Sequence, residues 1–269
     1  MLKRKIIIAN WKMNPISSRE ALNIFYSILK LVNKYKVLKT DIVICPPFVY
    51  IPALLDNLSR FKKKSKLFFL VLLGTQDVSE ENPPLGVGAY TGEISAGILK
   101  EIGVKYCLVG HSEKRTKGET EESISKKIKI TLEKGITPIL CVGENERDIN
   151  HEYFNQIKNQ IEKGLEKTPK KDIYKVIIAY EPVWAISTTK NKKPATPSDF
   201  KEMHIYIKKV LVNKYGMKIK LPRVVYGGSV NSKNAKSFLE EGGADGLLVG
   251  RESLKANNFF EIVRGAEKL

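Results

Sequence analysis

The run from Lys175 to Ala185, KVIIAYEPVWA, begins as a continuous apolar, β-branched stretch and stops on a carboxylate. Such a stretch reads as a strand buried on both faces, as parallel strands are. Pro182 cannot extend a hydrogen-bonded ladder and keeps the residue before it extended, so Glu181 falls where strand gives way to loop. A carboxylate between apolar neighbours is costly to leave charged and unpaired. It is either half of a structural ion pair or a general base. Proton abstraction beside a carbonyl needs a carboxylate held in a dry setting, and the Pro182-Val183-Trp184 flank supplies one.

Five other apolar runs also end on polar or glycine residues. Asn10 and Lys12 follow the first, Gly110-His111-Ser112-Glu113 the fourth, Gly143-Glu144 the fifth, Gly227-Gly228-Ser229 the seventh and Gly250-Arg251 the eighth. A fixed ammonium and amide stabilise charge that develops on oxygen. Glycine turns let backbone N–H groups reach an anion such as phosphate, although an ordinary tight turn needs glycine too. His111 is one of three histidines; His151 and His204 fall within helical patterns and read as surface residues. A metal site at His111 would need three ligands. No second histidine stands near a strand end, so none is expected.

These residues act together only if the fold brings the strand ends to one place. Strands are predicted at Lys5 to Asn10, Asp41 to Cys45, Leu67 to Leu73, Tyr106 to Val109, Thr137 to Val142, the run ending at Glu181, Arg223 to Tyr226 and Gly246 to Val249. Helices are predicted between them. One starts at the capping pattern Ser17-Ser18-Arg19-Glu20. The others run from near Val49 to Lys62, up to Gly103, Glu121 to Lys134, His151 to Lys167, Thr196 to Gly216, Asn231 to Gly242 and Ser253 to Ala266. Eight strand-then-helix units with no linker demand a parallel sheet with helices outside. The length of 269 residues suits one closed (β/α)₈ barrel spanning 1–269, an α/β fold with its catalytic face at the C-terminal strand ends. The alternative, a doubly wound open sheet, would carry a glycine-rich fingerprint after its first strand, where Asn10-Trp11-Lys12-Met13-Asn14 stands instead.

The net charge of +17 invites a nucleic-acid reading. The excess is spread out, rich in Lys and free of interleaved aromatics, so it reads as a solvated surface with no specific nucleic-acid partner. No apolar run reaches the roughly 20 residues of a membrane span, and Ile6-Ile7-Ile8-Ala9 is too short for a signal-peptide core. Cys45, Cys107 and Cys141 form no CxxC pair and read as buried free thiols. A cytoplasmic protein is expected.

Asn10-Trp11-Lys12, Gly110-His111-Ser112-Glu113, Cys141-Val142-Gly143-Glu144, Ala179 to Ile186, Tyr226-Gly227-Gly228-Ser229-Val230 and Leu248-Val249-Gly250 resemble triosephosphate isomerases, in the right order from first strand to last. The resemblance implies interconversion of glyceraldehyde 3-phosphate and dihydroxyacetone phosphate through an enediolate, with no cofactor. It implies Glu181 as the base, His111 as the neutral group that polarises the carbonyl, Lys12 and Asn10 as stabilisers of the oxyanion and Glu113 as the group that orients Lys12. Ser187, Gly228, Ser229, Gly250 and the loop after Glu181 would hold the phosphate. It also implies a homodimer in which Thr91, at the tip of the loop from Gln76 to Gly92, reaches the partner's active site.

The chain departs from the family in four places. Ser187 and Thr189 stand where glycines are usual, in a segment to Pro197 that looks longer than usual and adds Lys190, Lys192 and Lys193. Lys114 replaces an Arg, which would weaken a buried brace. The loop from Gln76 to Gly92 is longer than usual. Arg251 replaces a second glycine, and either pairs with an acid outside the site or leans toward the phosphate. Two rivals remain: another phosphate-binding barrel such as a phosphoribosyl isomerase, which relies on paired acids, and a barrel without catalysis that serves as a basic scaffold.

Overall fold

The computed structural model describes residues 4–64, 70–83, 86–186 and 194–269. Eight parallel strands close into a barrel in sequence order, β8 pairing back onto β1. They are β1 (Lys5–Asn10), β2 (Thr40–Cys45), β3 (Val71–Thr75), β4 (Tyr106–Val109), β5 (Thr137–Val142), β6 (Ile177–Tyr180), β7 (Arg223–Tyr226) and β8 (Gly246–Val249). The expected closed barrel forms.

Side-chain alternation decides what each strand offers to the interior. Ile6 and Ile8 join Val43, Cys45, Leu108, Ile139, Cys141, Ile177, Ala179, Val225 and Leu248 in one cluster inside the barrel. Ile7 and Ala9 belong to a separate, larger cluster between strands and helices. Strand side chains repeat every two residues. The inward set therefore runs on to Asn10, Gly143, Glu181, Gly227 and Gly250 as the strands leave the barrel. His111 has the opposite parity. Gly110, at φ +70°, supplies the left-handed turn that re-aims it.

The outer layer is helical: α1 (Ser18–Lys34), α2 (Ile51–Lys64), α3 (Ala96–Glu101), α4 (Ser112–Arg115), α5 (Glu121–Glu133), α6 (Tyr153–Gly164), α7 (Pro197–Tyr215), α8 (Ala235–Glu240) and α9 (Ala256–Glu267). In α1, Ala21, Phe25, Ile28, Leu29 and Val32 face the strands, and Ser17 caps the helix by accepting from the Glu20 N–H. Such a cap contributes about 1 kcal/mol. The reciprocal capping box lies at α7, where Thr196 Oγ1 accepts from the Asp199 N–H and Asp199 Oδ2 accepts from the Thr196 N–H.

Several boundaries differ from expectation. The third strand is Val71–Thr75, two residues past the predicted end at Leu73, and the predicted start, Leu67 to Phe69, lies outside the described residues. The sixth begins at Ile177, because Lys170–Lys175 forms a 3-10 turn. His151, at φ +60°, cannot continue a helix, so α6 starts at Tyr153. Asn231 does not cap α8; its Oδ1 accepts from the N–H groups of Lys233 and Asn234 and closes a tight turn. A 3-10 turn at Arg251–Leu254 delays α9 to Ala256. The three cysteines are buried and free, as expected. Among the described residues no helix is long and apolar enough to cross a membrane.

His204 corrects an expectation with a measurable consequence. It is buried beside Phe200 rather than exposed. Burial, reinforced by Lys208 and Lys5, pushes its imidazole down against the pull of Asp245 and the Gly242 backbone. The folded value lies below the unfolded value of about 6.5. Its contribution to stability is therefore full above about pH 6.5 and is lost as pH falls toward the folded value. Between pH 7.5 and 5.5, as test conditions, denaturant unfolding should show the parent losing more stability than His204→Gln, by at most about 1.4 kcal/mol per pH unit. Equal losses would show that His204 does not titrate between the two states.

Candidate functional site

The strand ends converge as alternation requires. Glu181 is held by backbone bonds on either side: its N–H donates to the Val142 carbonyl at 2.8 Å, and the Val183 N–H donates to the Glu144 carbonyl at 2.9 Å. The residue is 3% exposed. Its Oε1 lies 3.3 Å from His111 Nε2, while its Oε2 is buried with no hydrogen-bond partner. Burial, then the Glu181 carboxylate, push the neighbouring Cys141 thiol well up, so it stays protonated.

His111 is set from its other side. Its Nδ1 accepts the Glu113 N–H at 3.2 Å at the start of α4. That bond uses the Nδ1 lone pair and assigns the ring proton to Nε2, which points at Glu181. Lys12 lies across the mouth, its Nζ 2.5 Å from Glu113 Oε1. Partial burial draws the Glu113 carboxyl up, but the hydrogen bond and charge of Lys12 outweigh it, and the net direction is down.

Lys12 adopts φ +55°, a left-handed conformation that a non-glycine residue holds only under constraint. Two contacts supply it. The Lys12 N–H donates to Asn10 Oδ1 at 3.0 Å, and Gln76 Nε2 donates to the Lys12 carbonyl at 2.8 Å. Gln76 also donates to the Cys45 carbonyl, tying the ends of β1 and β2 together. The sequence marked Gln76 only as the first residue of a loop.

A cavity of about 160 Å³ opens at this face, lined by Asn10, Lys12, His111 and Glu181 at one side. Gly227, Gly228, Ser229, Gly250 and Arg251 line the rest. The glycine turns after β7 and β8 thus border the same space as the base, as expected. Ser229 Oγ donates to the Ala185 carbonyl at 2.9 Å and so ties the β7 turn to the segment after Glu181. Ser187, Thr189, Lys190, Lys192 and Lys193 lie outside the described residues.

Trp184 turns its indole N–H to Glu144 Oε1 at 2.9 Å, and the Tyr180 hydroxyl donates to the same oxygen at 2.7 Å. Glu144 is fully buried. Its charge is met by Arg147, which also reaches Asp199 and Glu202 and lies over the Trp184 ring. This network sets the turn that carries Glu181. The sequence marked Gly143-Glu144 and Trp184, but not Arg147, which joins them.

Two departures take definite form. Lys114 braces no buried group; it is half-exposed and pairs with Asp77 at 2.6 Å. The planar fork acts at Arg115, which donates to the Gly110 and Cys141 carbonyls and pairs with Glu121. Thr91 is exposed and is not among the residues that line the cavity beside Glu181. Among the described residues, no group of three or more His, Cys, Asp or Glu is placed to hold a metal ion.

The arrangement can take a proton from carbon at Glu181, donate to a carbonyl oxygen from His111 Nε2 and hold the resulting oxyanion with Lys12. The sequence model of the family described as triosephosphate isomerase matches residues 5–266. The chain is 41% identical over 266 residues to the triosephosphate isomerase of Caldanaerobacter subterraneus subsp. tengcongensis, covering 97% of this chain and 99% of the relative. It is 38% identical to that of Alkaliphilus oremlandii with the same coverage. To that of Dictyoglomus thermophilum it is 38% identical over 271 residues, 98% of this chain and 100% of the relative. With a family match over nearly its whole length, and the family's order of residues at the strand ends, the chain belongs to the triosephosphate isomerase family.

Proposed function

We propose that this chain, as a single barrel domain, interconverts glyceraldehyde 3-phosphate and dihydroxyacetone phosphate without a cofactor. The observation that carries this reading is the buried Glu181–His111 pair, 3.3 Å apart, at the rim of a cavity bordered by two glycine turns. Glu181, with an oxygen that has no other partner, takes the proton from the carbon beside the carbonyl and returns it to the neighbouring carbon. His111 donates from Nε2 to the carbonyl oxygen. Lys12 and Asn10 stabilise the enediolate oxygen, charge that exists only partway through the reaction. Glu113 orients Lys12. Ser229, Gly228 and Gly250 hold the phosphate, together with the segment after Glu181 that includes Ser187.

The reading extends to a homodimer. Met13 and Ile16 after β1, Val49 after β2, and Val87 and Tyr90 after β3 are exposed large apolar side chains. The three strands are neighbours, so their loops share one edge of the catalytic face. Thr91 stands beside Tyr90 in this patch and would reach the partner's site. A reducing compartment such as the cytoplasm suits three buried free thiols.

One purified sample tests both statements. A coupled assay should show turnover of glyceraldehyde 3-phosphate with no added cofactor, and sedimentation should give twice the mass of one chain. Absence of turnover would overturn the activity, and a single-chain mass at micromolar concentration would overturn the dimer.

A further inference from the structure

We propose that Arg251 is a phosphate-binding residue that gives this site its preference for a doubly charged substrate end. The inference deepens the triose-phosphate reading and rests on it. Backbone N–H groups at glycine turns hold an anion by partial charges alone. A guanidinium adds a full charge and a planar fork that matches two phosphate oxygens at once.

The charges around the cavity show why such a group matters. Among the described residues two cationic side chains line it, Lys12 and Arg251, and so do two carboxylates, Glu181 and Glu252. These formally cancel. Lys12 is also committed to Glu113 at 2.5 Å. Glu252 is held by Asn258 Nδ2 at 2.7 Å. Arg251 is exposed and, among the described residues, makes no ion pair with any acid. Among the described residues it is thus the cation at this cavity that no acid pairs with, and it can meet a phosphate dianion. Of the two alternatives raised by the sequence, the lean toward the phosphate is the one this supports, since among the described residues no acid outside the site pairs with the guanidinium.

The backbone puts it at the right end. Arg251 opens the 3-10 turn Arg251–Leu254, directly after β8. The turn is fixed from behind, where the Ser253 Oγ and N–H both donate to the Gly250 carbonyl. A Cβ built on Gly250 would sit 3.9 Å from Lys12 Cε, so the β8 turn abuts the lysine that faces the reacting oxygens. A triose phosphate is a few bonds long. With its carbonyl at Lys12 and His111, its phosphate falls between Ser229 and the β8 turn, within reach of a long side chain from position 251.

The test uses inorganic phosphate as the probe, because its binding does not depend on turnover. Calorimetry on the purified full chain should give a phosphate Kd about tenfold weaker for Arg251→Gln, the effect of losing one charge-assisted pair in a partly exposed setting. Arg251→Lys should fall between parent and Arg251→Gln, since it keeps the charge and loses the fork. In parallel, the ratio of kcat/KM for glyceraldehyde 3-phosphate to that for unphosphorylated glyceraldehyde, followed by deuterium uptake, should fall about tenfold in Arg251→Gln, mostly through KM. A structural role would lower both substrates together and leave the ratio in place. An unchanged phosphate Kd and an unchanged ratio overturn the assignment. If Arg251→Gln does not fold, the parent and Arg251→Lys carry the same comparison, and identical Kd values overturn it. An inactive parent whose phosphate Kd still weakens on substitution would sink the isomerase reading and leave the phosphate site standing.

Discussion

Glu181→Gln should fold like the parent and lose on the order of 10²–10⁴ in turnover, the contribution of a positioned general base. Gln has nearly the same shape, so the packing around a side chain that is 4% exposed is kept. The amide cannot accept a proton from carbon. The Glu181 N–H bond to Val142 and the Val183 N–H bond to Glu144 are made by backbone and survive the change. A thermal midpoint close to the parent's, with kcat down by at least 10², is the expected pair of results. Turnover within a few-fold of the parent would remove Glu181 from the reaction.

Gly143→Ala should do comparable damage without touching any group that meets substrate. A Cβ at position 143 would collide with the backbone carbonyl oxygen of Glu181. Position 143 cannot simply back away. Its N–H donates to Gln160 Oε1 at 2.8 Å, and its carbonyl accepts from Gln160 Nε2 at 3.1 Å. The strain therefore falls on the β6 end that carries the base. A displacement near 1 Å at a reacting group costs about 10²-fold in rate, and overpacking of this kind costs about 1–3 kcal/mol in stability. Steady-state kinetics beside thermal unfolding checks both effects. Full activity with a lowered midpoint would mean that the strain is relieved away from Glu181.

The barrel was legible because strand and helix signals alternate without interruption, and because β-branched runs such as Ile177–Tyr180 leave little choice of element. The catalytic set was legible for a related reason: two-residue alternation carries an inward-facing strand on to Asn10 and Glu181. Elsewhere the sequence was less informative. The predicted third strand stops at Leu73, yet the strand continues to Thr75, and Gln76 read only as the first residue of a loop. His204 sits in a helix rich in Lys, which masked a signal the sequence did carry: it stands four residues after Phe200, on the face that Met203, Ile207 and Leu211 bury. Arg147 looked like one more surface charge in a basic chain. Its partners, Glu144, Asp199 and Glu202, come from two separate segments that only the fold brings together. Lys114 and Arg115 are adjacent, and nothing in their order told which would reach the barrel wall.

The central claim is that one buried carboxylate moves a proton between adjacent carbons, and isotope uptake tests it most directly. Glyceraldehyde 3-phosphate should be turned over in deuterated water by the parent and by Glu181→Gln, with the dihydroxyacetone phosphate formed read by NMR. The account predicts deuterium on the carbon that received the proton in those parent turnovers where the carboxylic acid exchanges with solvent before it returns what it took, and both turnover and uptake slower by about 10²–10⁴ in the variant. Turnover and uptake in Glu181→Gln within a few-fold of the parent's would contradict it.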